Sequence, residues 1–104
     1  MKIIEFLRGD TFFRRFNANY TLKKGDKLHV AVMKNAYSDK YLHEQIIEIQ
    51  SETNYFNLEI LPGETSKFPI GKLLLEIELT TTDSIVQTNQ YELNVKVDGI
   101  HGRN

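Results

Sequence analysis

Three histidines, His29, His43 and His101, are the imidazoles through which this sequence could hold a metal or move a proton. No two of them have the i, i+2 or i, i+4 spacing of a local metal pair, and with no cysteine in the chain a thiolate cannot complete a set. Glu76 and Glu78 are two apart, so on a strand both carboxylates point the same way, the arrangement from which acid–base glycosidases build a protonated acid and an ionised partner. Their neighbours on that face are polar, Thr80 continuing the row, and nothing apolar is placed to raise either pKa. Glu44 and Glu48 read the same way, as a solvated face. Ser38, Ser51, Ser66 and Ser84 lack a nucleophile-elbow context, and the dispersed glycines form no phosphate-cradling loop. Arg8-Gly9-Asp10 spells an adhesion tripeptide, but at a strand-to-strand turn Gly9 is explained by backbone geometry and its neighbours by local hydrogen bonding. These residues predict a protein that is not an enzyme and needs no cofactor or metal.

The elements that would position them are strands. Leu73, Leu75, Ile77 and Leu79 alternate with Leu74, Glu76, Glu78 and Thr80; after the polar Thr81-Thr82-Asp83-Ser84, Tyr91, Leu93, Val95 and Val97 alternate with Glu92, Asn94, Lys96 and Asp98. A period of two places successive side chains on opposite faces of a sheet, so this is a hairpin with one face to bury and one to expose. Val86 and Thr88 break the parity of the second arm, which predicts a bulge or strand break over Gln87 to Gln90.

Upstream, Ile3 to Leu7, Thr11 to Phe16, Leu28 to Met33 and Tyr55 to Leu61 read as strands, and Asn17 to Asp26 as a polar connection. Glu64 to Ile70, bounded by Pro62 and Pro69, reads as a crossing loop with room for a helical turn. Tyr41 to Gln50 fits either a helix, with Leu42, Ile46 and Ile49 on one stripe, or a strand from Glu44 to Gln50; the β-branched run and flanking strands favour the strand. The sum is about seven strands with a turn every ten or so residues, the spacing of an antiparallel β-sandwich. One all-β domain is expected over 1–98, with a frayed tail over 99–104.

Composition narrows the function classes. At 104 residues the chain is one domain with five Tyr and six Phe, bulk that suits strands. Its net charge of −1 gives no field to recruit nucleic acid or an anionic membrane. The longest apolar run, Leu73-Leu74-Leu75, is far short of the roughly 20 residues that span a bilayer, and the N-terminus has charges where a signal peptide would be apolar. A cytoplasmic origin is expected.

The order of the motifs carries a resemblance. A first strand enters Arg8-Gly9-Asp10-Thr11 and Phe12-Phe13-Arg14-Arg15-Phe16; then come Lys24-Gly25-Asp26-Lys27-Leu28-His29-Val30-Ala31-Val32 and Phe56-Asn57-Leu58-Glu59-Ile60. A loop with Thr65 closes at Phe68-Pro69-Ile70-Gly71, before Leu73 to Thr80 and the return strand through Tyr91-Glu92-Leu93-Asn94-Val95. Over about Ile3 to Val97 this resembles the immunoglobulin-like N-terminal domain of phage baseplate upper proteins. Leu73 and Leu75 stand where that family tends to have Tyr, and Glu64-Thr65 where it has Asp-Thr. The resemblance implies an immunoglobulin-like fold and a structural, non-catalytic role in a phage or prophage tail, docking on other tail proteins after assembly in the host cytoplasm. It implies an attachment module without a receptor-binding part.

Docking would use sheet edges, expected at Ile3 to Leu7 and Tyr91 to Val97, and anchors left on an outer face, for which Phe12, Phe13, Leu74 and Tyr91 are the candidates. A homo-oligomer is compatible with the same features. The alternative is a carbohydrate- or small-ligand-binding sandwich, with Tyr37, Tyr41, Asn35 and Asp39 as the cluster of aromatics and polar groups such a site would need.

Overall fold

Alternating apolar residues force most of this chain into extended elements, and a computed structural model describing residues 1–97 shows seven strands and one helical turn. They are β1 (Lys2–Leu7), β2 (Phe12–Leu22), β3 (Lys27–Met33), β4 (His43–Glu48), β5 (Thr53–Ile60), α1 (Pro62–Thr65), β6 (Gly71–Thr80) and β7 (Val86–Lys96). A five-stranded sheet in the order β1-β7-β6-β3-β4 packs on a two-stranded sheet of β2 and β5. The fold is all-β. Asp98, the segment 99–104 and His101 lie outside the described residues.

The core sits between the sheets. Val30, Val32, Leu75, Leu93 and Val95 from the larger sheet are buried against Leu58, Ile60, Phe12 and Phe16 from the smaller one. Phe6 meets Phe12 edge-on at 5.3 Å between centroids and Phe68 at 6.2 Å, closing one end. Phe16 stacks on Phe56 at 5.3 Å toward the other.

Several expectations are corrected. The larger sheet is mixed: β1 runs parallel to β7, from Lys2↔Tyr91 to Leu7↔Lys96. A hairpin would dictate antiparallel pairing, but β1 leads into the opposite sheet, so the rest of the domain serves as the crossover that parallel strands need. β7 is therefore interior, and the far edge is β4. No bulge interrupts β7, whose pairing with β6 runs unshifted from Gly71↔Val95 to Thr80↔Val86. The parity break has another cause: Val86 faces outward, and the inward positions are taken by Gln87 and Asn89. β2 continues through the expected polar connection to the buried Leu22, with a register shift between Asn17 and Leu22. His43–Glu48 is a strand, and its pairing with β3 satisfies a backbone that an isolated helix would have had to satisfy internally.

Two buried polar side chains tie the turns together. Asp26, 3% exposed, accepts from the Lys23 amide (2.9 Å) and the Thr82 amide (3.1 Å), joining the β2–β3 turn to the β6–β7 turn. Gly25 beside it has φ +95, a conformation that favours glycine, and a Cβ there would press on Thr82 Cγ2 at 3.0 Å. Thr65 is fully buried, and its hydroxyl donates to the Asp10 carbonyl at 2.7 Å.

Candidate interaction surface

The outer face of the small sheet follows from strand parity. Even positions of β2 and β5, Phe12, Phe16, Leu58 and Ile60, point into the core, which turns Phe13, Arg15 and Asn17 outward beside Glu59, Asn57 and Tyr55. Phe13 is 61% exposed. The Arg15 guanidinium lies 4.2 Å from the centre of the Tyr55 ring, and its Nε donates to Asn57 Oδ1 at 3.4 Å. The stack holds a long side chain against the sheet, lowering the entropy it would lose on meeting a partner. An exposed Phe with a pre-ordered Arg–Tyr pair has the composition of interface anchors. Strand edges frame it: among the described residues each strand of this sheet pairs on one side only. In the larger sheet, edge strands β1 and β4 display Ile3 (55% exposed) and Ile46 (65%).

Of the four anchors expected from sequence, Phe13 sits on this surface. Phe12 is 4% exposed in the core, because Phe12 rather than Phe13 has the inward parity. Leu74 does face outward from β6 but is 6% exposed, covered in a small cluster with Ala31 and Met33, so it is not available as an open anchor. Tyr91 is half-buried and packs on Phe16 at 5.2 Å. Arg15, Tyr55 and Ile46 were not singled out by sequence reasoning; the alternation that turns Phe13 outward was the signal available for the first two.

The alternative ligand cluster lies in the segment between β3 and β4. Asn35 Oδ1 accepts from the Tyr37 amide (2.9 Å) and from Ser38 Oγ (3.4 Å), which commits it to its own turn. Tyr37 is 96% exposed, while Tyr41 leans on the His29 ring at 5.8 Å. Asn35 lines a shallow hollow of about 250 Å³ with Lys72 and Leu74, and Tyr37, Tyr41 and Asp39 do not.

The titratable groups form pairs. His29 contacts Glu44, its diagonal neighbour across β3 and β4. His43 reaches Glu64 on α1 at 3.2 Å and Gln45 at 2.6 Å. Hydrogen bonds from His43 and then Lys67 hold the Glu64 carboxyl below its usual range. Glu76 accepts from Gln90 at 2.9 Å. Among the described residues no group of three His, Cys, Asp or Glu side chains could hold a metal ion. Nor is any helix among them long and apolar enough to cross a membrane. Neither a scan against protein-family models nor a search of curated proteins finds a match for this chain.

Proposed function

We propose that this chain is a non-catalytic structural module of a phage or prophage tail baseplate, docking on other tail proteins through the outer face of β2 and β5 and the adjoining edges. The observation that carries the docking half is the Phe13–Arg15–Tyr55 surface, where an exposed aromatic and a stacked Arg lie on a sheet whose backbone edges are open. The tail assignment rests on the resemblance in motif order, and one contact gives that order a physical sense. The Arg8-Gly9-Asp10-Thr11 turn and the loop with Thr65, far apart in sequence, are joined through the Thr65–Asp10 hydrogen bond.

Co-sedimentation tests the reading. Phage is induced in source cells, particles are separated on a gradient, and fractions are probed for the chain. The reading expects it in tail or virion fractions at a fixed ratio, with Tyr55→Ala and Phe13→Ser depleting it there while the protein stays folded. Recovery only as free protein overturns the tail role.

A further inference from the structure

Beyond the stacked Phe16 and Phe56 rings the sheets part, leaving a cleft of about 220 Å³ over an apolar floor of Leu22, Leu28, Ile77 and Leu79. Its walls carry Asn19 and Tyr20 from β2 and Gln87, Asn89 and Tyr91 from β7. Three observations set it apart. None of its 13 lining residues is charged, in a chain of which 26% is charged. Among the described residues, none of those five polar side chains hydrogen-bonds to another protein group, although three are carboxamides with donors and acceptors to offer. Both walls also depart from what a closed sandwich would choose. The register of β2 passes from Asn17↔Tyr55 to Leu22↔Thr53, so Ala18 to Thr21 stand opposite Asn54 alone, a bulge that re-aims Asn19 and Tyr20. On β7 the unshifted register puts Gln87 and Asn89 at inward positions where Leu93 and Val95 serve the core further along.

We propose that this cleft binds a neutral polyhydroxylated ring, a pyranose sugar, either free or as the end of a glycan. Hydroxyls both donate and accept, and a carboxamide matches both demands, whereas no charged residue lines the cleft to pair with an anion or a cation. The apolar C–H face of such a ring suits the aromatic wall of Phe16 and Tyr91, whose rings lie 5.2 Å apart. The Tyr20 and Tyr91 phenols, protonated at neutral pH as any phenol with a pKa of about 10 is, add hydroxyls that can donate as well as accept. The site is separate from the Tyr37–Tyr41 loop and from the outer face of β2 and β5, and it stands whether or not the chain docks on a tail.

Heteronuclear NMR titration of the full chain tests it, with millimolar glucose, galactose and N-acetylglucosamine as probes and glucuronate and a hexose phosphate as charged comparators. The expected result is a saturable shift of the Asn19, Gln87 and Asn89 side-chain amides with at least one neutral sugar. Gln87→Ala and Asn89→Ala, exposed positions that leave folding intact, should each weaken binding about tenfold, the loss of one good hydrogen bond. A trisaccharide of the preferred sugar that binds more tightly than the monosaccharide assigns the end of a glycan; equal affinity assigns the free ring. The proposal is overturned if no sugar gives a saturable shift there, if the variants bind unchanged, or if a charged comparator binds more tightly.

Discussion

The Thr65 hydroxyl donates to the carbonyl oxygen of Asp10 at 2.7 Å, bridging the loop before β6 and the turn after β1 across 55 positions of sequence. Because Thr65 is fully buried, nothing in solvent can replace it. Thr65→Val keeps the shape and leaves that carbonyl without its hydroxyl donor, so it should cost about 1–3 kcal/mol of unfolding free energy. Thr65→Ser should recover most of the loss. Urea denaturation of the three proteins at one temperature checks this, and a silent Thr65→Val would show the bond to be incidental.

Asp26 makes the corresponding tie at the opposite end, and its loss should be felt in two turns. Asp26→Ala removes the acceptor of both the Lys23 and Thr82 amides, with an expected cost of about 3–6 kcal/mol, taking about 1.5–3 for each bond to a charged acceptor. Gly25→Ala should cost at least about 1 kcal/mol through its positive φ and the contact with Thr82. The measurement is again the denaturation midpoint, with hydrogen exchange at Lys23 and Thr82 reporting whether both turns loosen.

On the outer face of the small sheet the expectation reverses. Tyr55→Ala loses the Arg15 stack, worth about 0.5–1 kcal/mol at an exposed site, so thermal stability should fall only slightly. Its effect should appear in particle association instead. A collapse of folding in this variant would mark the surface as structural support and remove it as a docking face.

Two tyrosines set the alkaline behaviour. Burial raises the Tyr91 phenol above its usual 10.0, Arg14 acting the other way; Tyr20 is raised by burial, then by Asp26 and Tyr91. A folded-state pKa above the unfolded one means that the stability from these groups is fully present below about pH 10 and is lost as pH rises through the folded values. Tyr91→Phe should therefore flatten the decline of stability on the alkaline side, read as the melting temperature against pH. An alkaline limb unchanged in Tyr91→Phe and Tyr20→Phe alike would contradict this.

Glu64 acts on the acid side with the opposite sign. Its carboxyl is held low by His43 and Lys67, so its contribution is present above the unfolded carboxylate pKa and is lost as pH falls through the folded one. Glu64→Gln should soften the acid transition, and the exposure of the pair keeps that effect small.

What the sequence made readable was what depends on parity. The alternation of Leu73 to Leu79 gives the inner face of β6, and the same rule in the small sheet sends Leu58 and Ile60 inward while Phe13 and Glu59 turn outward. Strand direction was not readable, since nothing in Ile3 to Leu7 says that its partner runs parallel; that depends on where the chain crosses between sheets. The continuation of β2 through Asn17 to Leu22 was hidden by polar residues, whose role became visible only once Gln87 and Asn89 stood across the cleft from them. The outward anchors divided similarly. Phe12 and Phe13 are chemically identical, and their one-residue offset sends one into the core and the other to solvent.

The side-by-side alignment of β1 and β7 sets how the protein would carry a load. The two strands run the same way, so a pull applied at Lys2 and at Lys96 in opposite directions slides one strand along the other. Every hydrogen bond between the six paired positions is then strained together, whereas a hairpin pulled at its open end gives way one rung at a time. Rupture must break the whole row at once, so the unfolding rate under tension, and not the equilibrium stability, sets how long the domain lasts when stretched.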